Sequence, residues 1–357
     1  MDHGTFLEID LAKITENSNL VTKACSEKGI EVLGVTKGFS AIPQIVRAMT
    51  DGGIEKLADS RLENIGRIRN AGFTNNMTLL RIPMLSSVEQ VVALSDCSLN
   101  SELAVIKGLS DAAVSMGTVH DIVLMIDVGD LREGIMPDEA RRIAKEAARL
   151  KGIHISGIGT NMGCYGGILP TEHNLALLSA ISADLQNELG IRFDIVSGGG
   201  TSSLKLVKEG RIPYGVNQLR VGEGILLGRD STHNSMIPWL NQDTFRLSAE
   251  IVEIKEKPSV PVGKVGRDAF GNIPEFDDKG IRKRAIVAIG QQDVAVSGVF
   301  PTDPEVSLLG ASSDHMILDI SDSETDYHVG DQICFRMNYH GLLGLCSSNY
   351  IKHVYIN

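Results

Sequence analysis

Between Glu31 and about Gly228, short apolar runs alternate with longer segments whose apolar residues recur at helical spacing. The runs have the length and β-branched content of buried strands, and the segments have the period and end punctuation of helices. The expected strands are Glu31–Lys37, Lys56–Ser60, Met77–Ile82, Cys97–Asn100, Asp121–Asp127, His154–Asn161, Arg192–Ser197 and Gln218–Gly222. Helices are expected between them, among others at Pro43–Met49, Leu62–Ala71, Ser86–Leu94, Glu102–Met116, Pro137–Leu150 and Thr171–Leu189. Eight strands with seven intervening helices predict an α/β chain closed into a (β/α)8 TIM-type barrel; an open doubly wound sheet shares the alternation and is the alternative on counting alone. After Trp239 the rhythm changes to alternating or continuous apolar runs broken by Gly, Pro, Asp and Ser, which predicts a C-terminal β domain without an amphipathic helix. Its expected strands are Phe245–Lys255, Ala285–Ile289, Met316–Ile320, Gln332–Met337 and His353–Ile356, with Pro258–Gly280 as a long connection. The expected division is residues 1–235 for the barrel and 236–357 for the β domain.

Composition narrows the partners. The 357 residues carry 45 acidic against 34 basic side chains, a formal charge of -11, so no basic surface neutralises a phosphate backbone and nucleic acid is not expected. The longest apolar runs, such as Ile122–Ile126, fall far short of the ~20 residues of a membrane span, and Met1-Asp2-His3 does not read as a leader. Five scattered cysteines (Cys25, Cys97, Cys164, Cys334, Cys346) show no disulfide or zinc spacing, and a cytoplasmic protein without a structural metal is expected.

In such a barrel the chemistry gathers where the strands end. Lys37 ends the first strand after Val32-Leu33-Gly34-Val35; it is either a solvated surface lysine or a partly desolvated amine able to form a Schiff base. Two glycine-rich turns follow the seventh and eighth strands, Ser197-Gly198-Gly199-Gly200-Thr201-Ser202-Ser203 and Val221-Gly222-Glu223-Gly224, and their backbone N–H groups and hydroxyls suit a phosphate. Arg220 shares a face with Gly222 and by alternation points inward, as a ligand contact or as an ion pair with Glu223 or Glu209. The charged stretch Asp127-Val128-Gly129-Asp130-Leu131-Arg132-Glu133-Gly134 is a solvated loop or a clamp on a substrate carboxylate.

Taken in order, these motifs resemble the alanine racemase family of fold type III pyridoxal-phosphate enzymes. Glu8-Ile9-Asp10-Leu11 resembles the family's entry strand and first helix, and Val35-Thr36-Lys37 resembles the strand end whose lysine binds pyridoxal 5'-phosphate. The resemblance implies that Arg220, in Leu219-Arg220-Val221-Gly222, faces the pyridine nitrogen, and that Thr201, Ser202, Gly222, Glu223 and Tyr339 surround the phosphate. Arg132 and the pair Ser313-Asp314 take the substrate positions, and Asn161 stands where the family usually has a histidine against the ring. The family's opposite-face base is a tyrosine, but the matching stretch here is Ile289-Gly290-Gln291-Gln292-Asp293-Val294, so either Asp293, His315, Cys164 or a water supplies the second proton or the reaction is not a two-base racemisation; Asp293 is the expected catalytic group. Ala41 also replaces a frequent tyrosine.

The variants Gly34-Val35-Thr36-Lys37-Gly38-Phe39 and Thr160-Asn161-Met162-Gly163-Cys164-Tyr165-Gly166-Gly167 resemble the alanine/ornithine racemase branch. Ornithine is the expected substrate, with Asp130, Glu133, Glu223 and Asp293 as acceptors for a distal ammonium; alanine or a broad range of amino acids is the alternative. The resemblance further implies a head-to-tail homodimer. Rival readings are a fold type III decarboxylase, a metal-dependent aldolase or dehydratase built on His340 and Cys346, and a non-catalytic cofactor carrier, against which the appended β domain speaks.

Overall fold

The computed structural model describes residues 4–268, 270–271 and 273–356; Met1-Asp2-His3 lies outside them. The chain forms two compact units. Ala12–Gln242 make one, and the residues up to Leu11 join Asp243 onward in the other.

In the first unit eight parallel strands close on themselves: β1 (Glu31–Val35), β2 (Lys56–Asp59), β3 (Asn76–Leu79), β4 (Cys97–Asn100), β5 (His120–Met125), β6 (Ile153–Gly159), β7 (Ile195–Gly200) and β8 (Gln218–Val221). β8 pairs back onto β1, with Arg220 opposite Leu33, so the barrel and not the open sheet is realised. Side chains alternate across each strand, and the inward set supplies the core. Cys97 and Leu99 of β4 pack on Val123 and Met125 of β5, with Leu80, Ile82 and Ile195 against them. Leu33, Val35 and Ala58 form a second cluster that also meets Leu80. Strand ends differ from expectation by a few residues, and the shift matters. β5 stops at Met125 and β6 at Gly159, which leaves Asp127 and Asn161 on the loops beyond.

The second unit is an eight-stranded sheet whose central strand Phe245–Pro258 pairs antiparallel with Ile281–Val287 and Gln332–Met337. Phe6–Asp10 belongs to this sheet, antiparallel to the central strand and parallel to Lys352–Ile356. The boundary therefore differs from the expected 235/236: the first strand leaves the barrel, and residues to Gln242 stay with it. Buried Asn17 explains the latter. Its amide donates to the carbonyls of Ile225 and Asn241, 2.9 Å each, and accepts the Asn241 N–H at 2.7 Å.

Three further differences concern this sheet. The strand expected at Ala285–Ile289 runs Ile281–Val287, because the central strand pairs as far as Pro258 opposite Ile281 and the Arg282–Asp319 bond at 2.8 Å satisfies a charge on the ladder. Short strands at Val299–Pro301 and Ser307–Ala311 were not expected. The absence of a helix was also wrong: Tyr339–Ser347 is helical, capped by the Asn338 side chain accepting from the Gly341 N–H at 3.0 Å. Its glycines hid the pattern, and Gly341 is needed because a Cβ there would lie 2.2 Å from the Gly298 carbonyl. Among the described residues no helix is long and apolar enough to cross a membrane.

Candidate active site

Lys37 opens a single 3-10 turn, Lys37–Phe39, immediately past β1. The preceding Thr36 is buried, and its hydroxyl donates to the Asp59 carboxylate at 2.6 Å. Asp59, at the end of β2, also accepts the Arg61 N–H at 2.8 Å and the Asn64 amide at 3.1 Å. Burial raises its pKa, and the bonds from Thr36, Arg61 and Asn64 oppose that rise. Lys37 itself is half-buried, and among the described residues its ammonium makes neither a hydrogen bond nor an ion pair. Behind it Ser40 and Ala41 both take left-handed backbone (φ 51 and 53), a conformation costing about 1 kcal/mol or more for each non-glycine residue. Arg67 donates to the Ser40 carbonyl and holds this turn.

Across the β1–β8 seam, Arg220 is buried with 7% of its surface exposed. It donates to the Ser197 hydroxyl, to the Thr160 carbonyl at 2.6 Å and to Asn161 Oδ1 at 2.7 Å. All three acceptors are neutral. The expected ion pair is absent: Glu223 accepts from the Ser231 hydroxyl and N–H instead, and Glu209 pairs with Arg211 at 2.8 Å. Burial draws the Arg220 pKa down from 12.5 to about 10, which leaves the guanidinium charged at neutral pH. Among the described residues its Nε–H and second Nη1–H meet no acceptor.

The two glycine turns meet beside it. Thr201 opens a 3-10 turn after β7 and accepts the Gly224 N–H at 3.1 Å. Ser202 is buried, and among the described residues its hydroxyl makes no hydrogen bond. Gly222 precedes the short helix Glu223–Leu227, and a Cβ there would come 3.1 Å from Val35 Cβ. A Cβ on Gly200 would come 2.8 Å from the Arg220 carbonyl, so glycine is what lets the turns close on the mouth. Glu223 is desolvated, which raises its pKa, while its bonds from Ser231 act against that.

In the loop after β5, Gly129, Leu131 and Arg132 are exposed, but Asp127 and Asp130 are buried. Asp127 accepts the N–H groups of Gly129 and Leu131. Asp130, 2% exposed, accepts those of Gly163, Cys164, Tyr165 and Ile168 at 3.1 to 3.3 Å, clamping the loop that follows β6. It is therefore not free for a substrate ammonium. Arg132 donates to Glu133 from both Nε and Nη2, and the Asn161 amide donates to the same carboxylate. Glu133 and Glu223 are thus also engaged by groups of the protein.

Asp293, Ser313, Asp314 and Tyr339 lie in the β unit. Gly290 presses against the Ser313-Asp314 backbone so closely that a Cβ would lie 2.2 Å from the Ser313 carbonyl. Gln291 donates its amide to the Ala311 carbonyl at 3.0 Å, a structural task. Asp293 Oδ1 accepts the Ser348 hydroxyl at 2.6 Å, and among the described residues no donor meets Oδ2. Ser313 and Asp314 are exposed; Tyr339 is half-buried at the helix start. His340 is exposed and Cys346 is core, which separates the nearest His/Cys pair in the sequence. Among the described residues no group of three His, Cys, Asp or Glu side chains is arranged for a metal ion.

A cavity of about 680 Å³, lined by Phe193, Val196, Ile212 and Tyr214 among others, sits at the N-terminal ends of β7 and β8 and contains none of these residues. Chemistry, not volume, marks the site. Sequence reading missed Asp59, Ser197 and the clamping role of Asp130. For Ser197 the signal existed, since it opens the glycine turn and has the parity of inward-facing Ile195.

The family described as alanine racemase, N-terminal domain, matches residues 9–230. The chain is 44% identical over 347 residues to an ornithine racemase of Acetoanaerobium sticklandii, covering 97% of this chain and 98% of that one. It is equally 44% identical over 349 residues to a lysine racemase of Thermotoga maritima, covering 98% of each. Among solved structures, an alanine racemase of Clostridium difficile 630 superposes with a TM-score of 0.78 at 18% identity, over 99% of this chain and 96% of that one, which speaks to fold.

Proposed function

The chain belongs to the alanine racemase family and is an amino-acid racemase; from that premise we propose that it binds pyridoxal 5'-phosphate at the barrel mouth and interconverts L- and D-ornithine. The observation that carries the reading is a pair of cations at the ends of adjacent strands. Among the described residues Lys37 has no partner, and buried Arg220 hydrogen-bonds only neutral groups. The residues suit the cofactor: an available amine, guanidinium N–H groups without acceptors, the unpartnered Ser202 hydroxyl, and glycine turns whose N–H groups begin helical turns. Thr201, Ser202, Gly222 and Glu223, the last through its backbone, would hold the phosphate, with Tyr339 from a β unit.

Bound there, the cofactor supplies an electron sink that acidifies the Cα–H of an attached amino acid. Lys37 Nζ holds it and moves the α-proton on one face. Arg220 offers hydrogens and accepts none, so it would disfavour protonation of a ring nitrogen held against it. Arg132 binds the substrate carboxylate, and Asn161 fixes Arg220. Ser313 and Asp314 complete the substrate site, Asp314 as acceptor for the distal ammonium. Asp293 Oδ2 exchanges the proton on the opposite face, because the Gln291 amide does not titrate near neutral pH. The 44% identity to racemases of two diamino acids supports ornithine over alanine. We further propose a head-to-tail homodimer, checked by sedimentation, and a cytoplasmic setting, which five free thiols support.

The test is purified protein loaded with pyridoxal 5'-phosphate and given L-ornithine, L-lysine and L-alanine, with products read by chiral chromatography. Ornithine is expected to racemise fastest, without carbon dioxide release, and borohydride is expected to fix the cofactor on Lys37. Preferential turnover of alanine would reject the substrate, and a label elsewhere would reject the site.

A further inference from the structure

Two arginines with different proposed tasks are tied to one carboxylate, Arg132 directly and Arg220 through an amide. Arg132, on the loop after β5, donates Nε to Glu133 Oε2 and Nη2 to Oε1, the latter at 2.6 Å. Asn161, on the loop after β6, donates Nδ2 to Glu133 Oε1 and accepts Arg220 Nη2 on its Oδ1 at 2.7 Å. We propose that Glu133 is a positioning residue that holds Arg132 and Asn161 together, aims Arg132 at the substrate carboxylate, and supplies through Asn161 the counter-charge for Arg220. This rests on the cofactor reading above.

The geometry defines each part. Glu133 takes the Nε/Nη2 edge of Arg132, so the Nη1 edge is the one left to reach a carboxylate. An amide between a guanidinium and a carboxylate has one satisfactory orientation, oxygen toward Arg220 and nitrogen toward Glu133. It also carries no titratable proton, so the link transmits field and position without changing charge itself. Burial disfavours the Arg220 charge, neighbouring Cys164 and Glu133 favour it and Arg132 opposes it; Glu133 is the carboxylate joined to it through the Asn161 amide. Sequence spacing gives no hint of this: Glu133 and Asn161 are 28 positions apart and meet only because β5 and β6 are neighbours.

Glutamine cannot do the same work. It has one acceptor oxygen, so its NH2 would face Arg132 donor to donor in either orientation, and Asn161 as well when it takes the Oε1 position. Glu133→Gln is therefore expected to raise KM for L-ornithine about tenfold, the size of a lost charged hydrogen bond, with a smaller change in kcat. Removing a nearby anion also disfavours cationic forms, so the pH midpoint of the bound cofactor's visible absorbance is expected to move down by roughly one unit. Glu133→Asp keeps the charge and shortens the reach; it is expected to restore the spectral midpoint and leave KM raised. The spectra and cofactor affinity are to be recorded without substrate, and KM and kcat separately. Lack of any cofactor band in the unsubstituted protein would sink the cofactor reading itself. A normal band whose midpoint, together with KM, is unchanged in Glu133→Gln would overturn only the role given to Glu133, and so would a Glu133→Asp midpoint that stays with Gln.

Discussion

Two arcs of the same barrel spend their inward positions differently. On β4 and β5 those positions hold Cys97, Leu99, Val123 and Met125, packed with Ile195 into a buried apolar cluster. Around β6, β7, β8 and the end of β1 the corresponding region holds Gly157, Gly159, Ser197, Arg220 and, past the strand, Lys37. Proximity requires glycine at 157, where a Cβ would fall 1.8 Å from the Ile195 carbonyl, and leaves little room at Gly159, where one would fall 3.1 Å from Ser197 Cβ. One arc removes hydrocarbon from water, which stabilises the fold at ~25 cal/mol per Å². The other gives up side-chain volume and buries a cation instead, which stabilises little or nothing but leaves donors at the strand ends where we propose the cofactor binds. Stability and chemistry are thus divided around one closed sheet, and substitutions should separate them.

The largest effect is expected at Lys37. Lys37→Ala should lower turnover by ~10⁴-fold or more and abolish the cofactor's visible band, while the unpartnered, half-buried side chain leaves the melting temperature nearly unchanged. Full turnover in this variant would erase the distinction between the arcs. Leu99→Ala should behave in the opposite way. With 2% exposure it is expected to lose ~2–5 kcal/mol of stability by denaturant titration and keep kcat in the fraction that folds.

The structural arc also contains a pH sensor on its helix-facing side. His120 is 2% exposed and meets the Ser98 hydroxyl at 2.9 Å, and burial pushes its pKa down from 6.5 to about 4, with Asp121 and Asp96 opposing. Between these values the unfolded chain binds a proton that the folded chain refuses. Stability present above pH 6.5 should therefore fall as the pH drops toward 4, by up to ~3 kcal/mol. Urea midpoints at pH 7 and 4.5 should differ accordingly, and His120→Gln should remove that part of the difference. The smallest effect is expected at Ser202. Its Ala variant should bind pyridoxal 5'-phosphate about tenfold more weakly, with an unchanged thermal midpoint for the apo chain, because its hydroxyl has no partner to lose. An unchanged cofactor affinity would remove Ser202 from the polar arc.

Much of the barrel was legible because strands and helices leave periodic marks of burial. All eight strands were expected within a few residues, and the inward direction of Arg220 followed from two-residue alternation. Misreadings arose where no period exists. The helix Tyr339–Ser347 is short and interrupted by glycines chosen for close backbone approach, and the strand Ile281–Val287 carries charges satisfied across the sheet. Asp130 and Glu133 looked like surface acids open to a ligand, since composition cannot tell an exposed carboxylate from one collecting backbone N–H groups, as Asp130 does, or side-chain donors, as Glu133 does.

By itself, the order of residues determined the repeating strand and helix units, the lysine past the first barrel strand and the glycine turns after the last two. Tertiary structure alone decided which groups those residues meet. Arg220 bonds partners 23, 59 and 60 positions away, and Phe6 lies opposite Ser248. The reason is physical: burial follows the fixed period of local backbone geometry, whereas a hydrogen bond depends on distance in space, which exists only after the barrel has closed.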